Sequence, residues 1–114
     1  MSAPTFEPPI QNPDVFDILG VRKDGGIDAV VVAATPIDGQ PQTLSALAAK
    51  IRNYIRELCS EGFRARYLPP GAGTVRILVN CHGPVDSAAL GLIASLRKEA
   101  AAAAITIEVV DVGV

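Results

Sequence analysis

Residues 75–92, VRILVNCHGPVDSAALGL, contain the two periodicities from which the fold of this chain is predicted. The first seven residues alternate between the two faces of a half-buried β-strand, with a period of two. Gly83 and Pro84 break this pattern. Asp86 or Ser87 is then suited to cap the first turn of a helix. The segment therefore predicts a strand, a tight corner and a helix.

The helix that follows this corner has one apolar stripe. Its predicted buried side consists of Ala89, Leu92 or Ile93, Leu96 and Ala100. A final stretch, ITIEVVDV at residues 105–112, again alternates like a strand. A strand, a crossover helix and a further strand favour parallel pairing with a right-handed connection.

The first half of the chain predicts a β-hairpin followed by a helix. Two apolar stretches flank Asp24, Gly25 and Gly26, which suit a two-residue turn. With such a turn, one face of the hairpin would carry Val15, Leu19, Val21, Val30 and Val32, and the other Phe16, Ile18, Ile27 and Val31.

The helix after this hairpin is predicted from a second apolar stripe. The stripe consists of Leu44, Leu47, Ala48, Ile51, Ile55 and Leu58. Lys50 would lie on the opposite, solvated side. Gly62 would end the helix, with Phe63 folding back onto it in a Schellman motif.

These elements predict a two-layer α+β sandwich in the order ββαβαβ. A four-stranded mixed sheet would carry two helices on one face. Residues 1–13 are rich in proline and are expected to form an extended or disordered arm. Residues 14–114 would form a single domain, which is within the usual range of about 100–150 residues.

Composition argues against several functional classes. The formal net charge is −2 with no Trp, which disfavours a nucleic-acid binder. No apolar run is long enough for a membrane helix, and the N-terminal sequence does not resemble a signal peptide. Two cysteines at no recognisable spacing are expected to be reduced thiols. We therefore expect a cytoplasmic protein.

One candidate site is the corner at residues 80–87. As a ligand-binding protein or enzyme, the chain would use His82 as a base or ligand contact and Cys81 as a thiol. A single histidine and the lack of a Cys-x-x-Cys motif predict no metal site and no cofactor. We expect no catalytic residues. The ligand-binding candidates are Asn80, Cys81, His82, Gly83, Asp86 and Ser87.

The favoured candidate is the sheet face away from the helices, which is too apolar to face water. It predicts a non-enzymatic interaction module, most simply a homodimer, or else a module for another protein partner. In the competing interpretation the arm, with Phe6 and Ile10, covers this face within one chain. The predicted interface consists of Phe16, Ile18, Ile27, Val31, Leu78 and Val110.

From Asn12 to Val112 the chain resembles a family of small bacterial proteins catalogued as a domain of unknown function. The matching stretches are NPDVFDILGVRKDGGIDAVVV, LAAKIRNYI, VRILVNCHGP and ITIEVVDV. The resemblance implies an α+β fold and transfers no catalytic residue. The chain departs from the family after its second strand, where ATPIDGQPQ replaces an acidic, histidine-containing stretch.

Overall fold

The computed structural model describes residues 17–23, 25–33, 37–67, 74–81 and 83–111, apart from the side chains of Tyr67 and Asp111. The predicted arm at residues 1–13 lies outside the described residues. Phe16 and His82, two of the predicted site residues, lie outside them as well.

Four strands and three helices follow one another along the chain. They are β1 (Ile18–Val21), β2 (Ile27–Ala33), α1 (Pro41–Leu58), α2 (Glu61–Tyr67), β3 (Val75–Cys81), α3 (Ser87–Ala102) and β4 (Ile105–Asp111). The strands form one sheet in the order β1-β2-β3-β4. β1 is antiparallel to β2, and β2, β3 and β4 are parallel. The predicted α+β class and mixed sheet are confirmed, with α2 as a short additional helix.

The core lies between the sheet and the helices. Odd-numbered residues of β2, β3 and β4 share one buried cluster with the apolar sides of α1 and α3. α3 begins at the predicted cap, since Asp86 Oδ2 accepts a hydrogen bond from the Ala88 N–H at 2.8 Å. Its buried side is the predicted one and consists of Ala89, Ile93, Leu96 and Ala100.

The predicted faces of the hairpin were wrong. The structure pairs Leu19 with Ala29 and Val21 with Ile27, so residues 22–26 form a five-residue connection rather than a two-residue turn. With a two-residue turn, odd-numbered residues of one strand lie opposite even-numbered residues of the other. With a five-residue connection, odd-numbered residues lie opposite odd-numbered ones. Ile27 and Val31 therefore point toward the helices and are 0% exposed. Neither can belong to an interface on the outer face.

The connection itself is held by backbone bonds and one glycine. The N–H of Arg22 donates to the carbonyl of Gly26 at 2.8 Å, and the N–H of Gly25 donates to the carbonyl of Arg22 at 3.0 Å. Gly25 has a φ of 88°, a conformation that residues with a side chain rarely adopt. The predicted hairpin is thus present, with a longer connection.

The predicted end of the first long helix was also wrong. α1 ends at Leu58, and a new helix, α2, begins at Glu61 and includes Gly62. The reason is local, because Ser60 Oγ accepts the Phe63 N–H at 3.2 Å, as an N-cap residue does. Phe63 packs into the core as part of α2.

An ion pair joins the start of β1 to the middle of α1. Lys50, predicted on the solvated side, is 0% exposed, and its Nζ donates to Asp17 Oδ1 at 2.6 Å. The other oxygen of Asp17 accepts the Val32 N–H at 2.8 Å. Tyr54 OH donates to the Val30 carbonyl at 2.8 Å and accepts the Asp17 N–H at 2.9 Å. The Asp17 contact thus covers the edge of β2 beyond the end of β1, and Tyr54 binds β2 at the residue that pairs with Ile18.

Removing the ammonium group alone is expected to destabilise the fold strongly. Lys50→Met keeps the volume of the stem and leaves the Asp17 carboxylate without its cation. We expect the free energy of unfolding to fall by about 3 kcal/mol, since breaking one side of a buried pair costs that much. Urea denaturation would measure it. Lys98→Met, on the exposed side of α3, is the matched control and should change stability little. A loss no greater than that of the control would contradict the role given to Lys50.

Tyr54 is expected to make stability fall in alkali. Burial raises the pKa of Tyr54 from its ordinary value of 10.0 to about 12. The folded state therefore favours the neutral phenol, and this contribution is complete below pH 10 and lost as the pH rises toward 12. The expected slope is about 1.4 kcal/mol per pH unit over that interval.

Two variants isolate this effect. In Tyr67→Phe, Tyr54 is the only remaining tyrosine, so absorbance titration reports its pKa directly. In Tyr54→Phe, the additional loss of stability above pH 10 should disappear. A pKa near the ordinary value in the first variant would show that the phenol is not held as described.

Candidate functional site

The face of the sheet away from the helices, here the open face, carries the even-numbered residues of the strands. The first row across the sheet contains Gly20, Asp28, Arg76 and Thr106, and the next contains Ile18, Val30, Leu78 and Glu108. The last row contains Val32, Asn80 and Val110. Charged residues thus gather toward the amino ends of the parallel strands, and apolar residues toward their carboxyl ends.

The charged end of the open face is an internally neutralised network. Arg76 Nε donates to Asp28 Oδ1 at 2.8 Å, and Arg76 Nη2 donates to Asp28 Oδ2 at 2.9 Å. Arg22 also binds Asp28 and donates to the Thr74 carbonyl at 2.6 Å. Hydrogen bonds from Arg76 and then from Arg22 hold the pKa of Asp28 below its usual value, although partial burial opposes them. Glu108 reaches Arg76 at 3.4 Å.

The apolar strip is defined as Ile18, Val30, Val32, Leu78 and Val110. Ile18 is 54% exposed, whereas Val30, between Ile18 and Leu78, is 8% exposed. Of the predicted interface residues, Ile18, Leu78 and Val110 lie on the open face, Ile27 and Val31 lie in the core, and Phe16 lies outside the described residues. Val30 and Val32 were missed because the faces of β2 were exchanged in the prediction.

The second candidate, the corner at residues 80–87, is closed by backbone bonds. Ile37 N–H donates to the Pro84 carbonyl at 3.2 Å, and Asp86 N–H donates to the Ile37 carbonyl at 2.8 Å. Gly39 lies so close that a Cβ there would be 2.6 Å from Asp86 Oδ2. The two loops at the carboxyl ends of β2 and β3 are therefore joined to each other.

The predicted ligand-binding residues of the corner do not converge. Asn80 is half-buried on the open face, while Cys81 faces the core and is 1% exposed. Gly83 has a φ of 123°, which supports the turn, and the Asp86 carboxylate is engaged as the helix cap. Ser87 is exposed at the start of α3, and His82 lies outside the described residues.

Cys59 and Cys81 are both free thiols. Cys81 Sγ lies 3.6 Å from the Val110 carbonyl, the geometry of a weak hydrogen bond from a buried thiol. In the part of the chain that the structure describes, no three His, Cys, Asp or Glu residues are grouped as a metal site would require. No described helix is both long enough and apolar enough to cross a bilayer.

Sequence reasoning missed the group formed by Asp17, Lys50 and Tyr54. A signal was present, because Lys50 lies three residues after Leu47 and four before Tyr54, which places it on one helical stripe with both. A lysine on such a stripe is usually assigned to solvent, and only the position of Asp17 on another element shows otherwise.

Comparison with known proteins adds no relative. No family model, no curated protein and no solved structure matches the chain. The resemblance to small bacterial proteins therefore stays a prediction.

The two thiols are expected to differ in reactivity. Cys59 is half-buried at the end of α1, whereas Cys81 is enclosed by the core. With an excess of a thiol reagent, Cys59 should react first, and Cys81 should react only as fast as the fold opens. Intact mass over time measures both, and Cys59→Ser isolates Cys81. Rapid labelling of Cys81 in the folded variant would instead show an accessible thiol at the corner.

Proposed function

We propose that this protein is a non-enzymatic interaction module that forms a homodimer through its open face. The observation that carries the proposal is the apolar strip, which spans β1 to β4 on the face opposite the helices. Burying such side chains against a partner contributes about 25 cal/mol per Å² of apolar surface removed from water. Two sheets of this kind pack face to face at a separation of about 10 Å.

The charge pattern of the open face favours a second copy as the occupant. Asp28 and Arg76 lie side by side on β2 and β3, and Val30 and Leu78 lie side by side in the next row. In this dimer a two-fold axis runs parallel to the strands, above the line between β2 and β3. It places β3 of the copy over β2, and β2 of the copy over β3. Asp28 then faces Arg76 of the copy, and Val30 faces Leu78. One symmetric arrangement therefore places opposite charges over each other and brings the apolar side chains into contact.

The alternative is a ligand-binding protein or enzyme that uses the corner at residues 80–87. It has less support, because Asp86 caps α3 and Cys81 faces the core. We propose a cytoplasmic location, which two free thiols favour.

The dimer is tested with separate variants that place a lysine either on the open face or on the side of the molecule that carries the helices. Ile18→Lys and Leu78→Lys add a lysine to the apolar strip. Leu90→Lys makes the same change at a position on α3 that is 46% exposed. We expect the wild type and Leu90→Lys to sediment as dimers, and the two strip variants as monomers, because a charge buried at an interface is costly.

Sedimentation over a range of concentrations, with circular dichroism as the check on folding, gives the result. A wild type that stays monomeric at every concentration would overturn the proposal. Residues 1–13 of the same chain would then be the alternative occupant of the strip.

A further inference from the structure

The edge of β4 is a second surface of the sheet, distinct from the open face. β4 pairs only with β3 among the described strands, and its seven residues match those of β3 one to one. It contains no proline and extends over about 23 Å, which is long for an edge strand. Edges of this kind are templates for another strand unless something blocks them.

The backbone groups that β4 turns outward follow from the register. Ile27 N–H donates to the Thr74 carbonyl at 3.0 Å, so the odd residues of β2 bond to β3. In parallel pairing, the odd residues of β3 then bond to β4, and the even residues of β4 bond back to β3. The odd residues of β4 direct their N–H and C=O groups away from the sheet. These residues are Ile105, Ile107, Val109 and Asp111.

One side chain occupies this edge at its middle. Arg97, an exposed residue of α3, donates from Nε to the Ile107 carbonyl at 3.1 Å. An added strand that overlaps the middle of β4 needs that carbonyl as an acceptor. The fully overlapping antiparallel register of two β4 strands also places Glu108 opposite its own copy, which is unfavourable.

We infer that Arg97 closes the β4 edge against strand addition by a second copy of this chain. The hydrogen bond to Ile107 occupies the central acceptor of the edge, and the guanidinium places a charge where an incoming strand would lie. On the other side of the sheet, Asp17 accepts the N–H of Val32, a residue of β2 that lies beyond the end of β1. Strand addition at β4 is thereby disfavoured, and the open face is unaffected by this contact.

The test uses the full chain with Ile18→Lys, so that association through the open face is removed. Arg97→Ala in this background releases the Ile107 carbonyl. Lys98→Ala is the matched control, because it removes the same charge from the next residue of α3, which is also exposed. Arg97→Lys retains an amino group that can donate to the carbonyl.

We expect Arg97→Ala to lower the dissociation constant for self-association roughly tenfold relative to Lys98→Ala, about the effect of one hydrogen bond. Arg97→Lys should behave like the control. Hydrogen exchange at the amides of Ile105, Ile107 and Val109 should slow as the concentration of Arg97→Ala is raised. That slowing distinguishes strand pairing from simple loss of stability.

Two results would overturn the inference. One is an Arg97→Ala protein with the same mass as Lys98→Ala at every concentration. The other is faster exchange at these amides without any gain in mass, which would mean that Arg97 only supports the folded edge. Neither result bears on the face-to-face dimer, which is measured with Ile18 intact.

Discussion

The buried contact between Lys50 and Asp17 is the constraint on which the arrangement of this sheet depends. An ammonium group with no exposure to water needs a carboxylate close by, and Asp17 provides it at 2.6 Å. The same carboxylate accepts the Val32 N–H, so the chain entering β1 is held against the edge of β2. Burying the ammonium group fully and most of the carboxylate is costly, and such pairs add little net stability over apolar residues. Their consequence here is positional, because they determine where β1 begins and how β2 is closed.

The division of the sheet into two faces agrees with that position. With β1 held in this register, Leu19 packs toward the core and Ile18 lies on the open face. The helices cover one side, and the other side divides into a neutralised charged end and an apolar strip. Side chains bond backbone groups of two strands, Asp17 and Tyr54 those of β2, and Arg97 that of the edge strand β4. A sheet with a blocked β4 edge and one apolar face is better suited to stacking than to strand addition at β4.

The parts of the fold that were predictable depend on local signals. The alternation of β3, the cap at Asp86 and the buried side of α3 each follow from residues within one turn or one strand. The helix end predicted at Gly62 was wrong because Ser60 caps the start of α2. A glycine signal for a helix end and a serine signal for a helix start compete in this short stretch. The hairpin faces were wrong because they depend on the number of connecting residues, and Asp24, Gly25 and Gly26 fit more than one length.

By itself, the sequence determined the α+β class, the order of the strands and long helices, and which residues of β3 and α3 face the core. Periodicity encodes these features, and each period is contained in a short stretch of chain. Only the tertiary structure decided which face of β2 is buried, that Lys50 lies inside, and that Arg97 reaches the edge of β4. Each of these contacts joins residues on separate elements. A contact of that kind depends on register and packing, which the spacing of residue types along the chain does not specify.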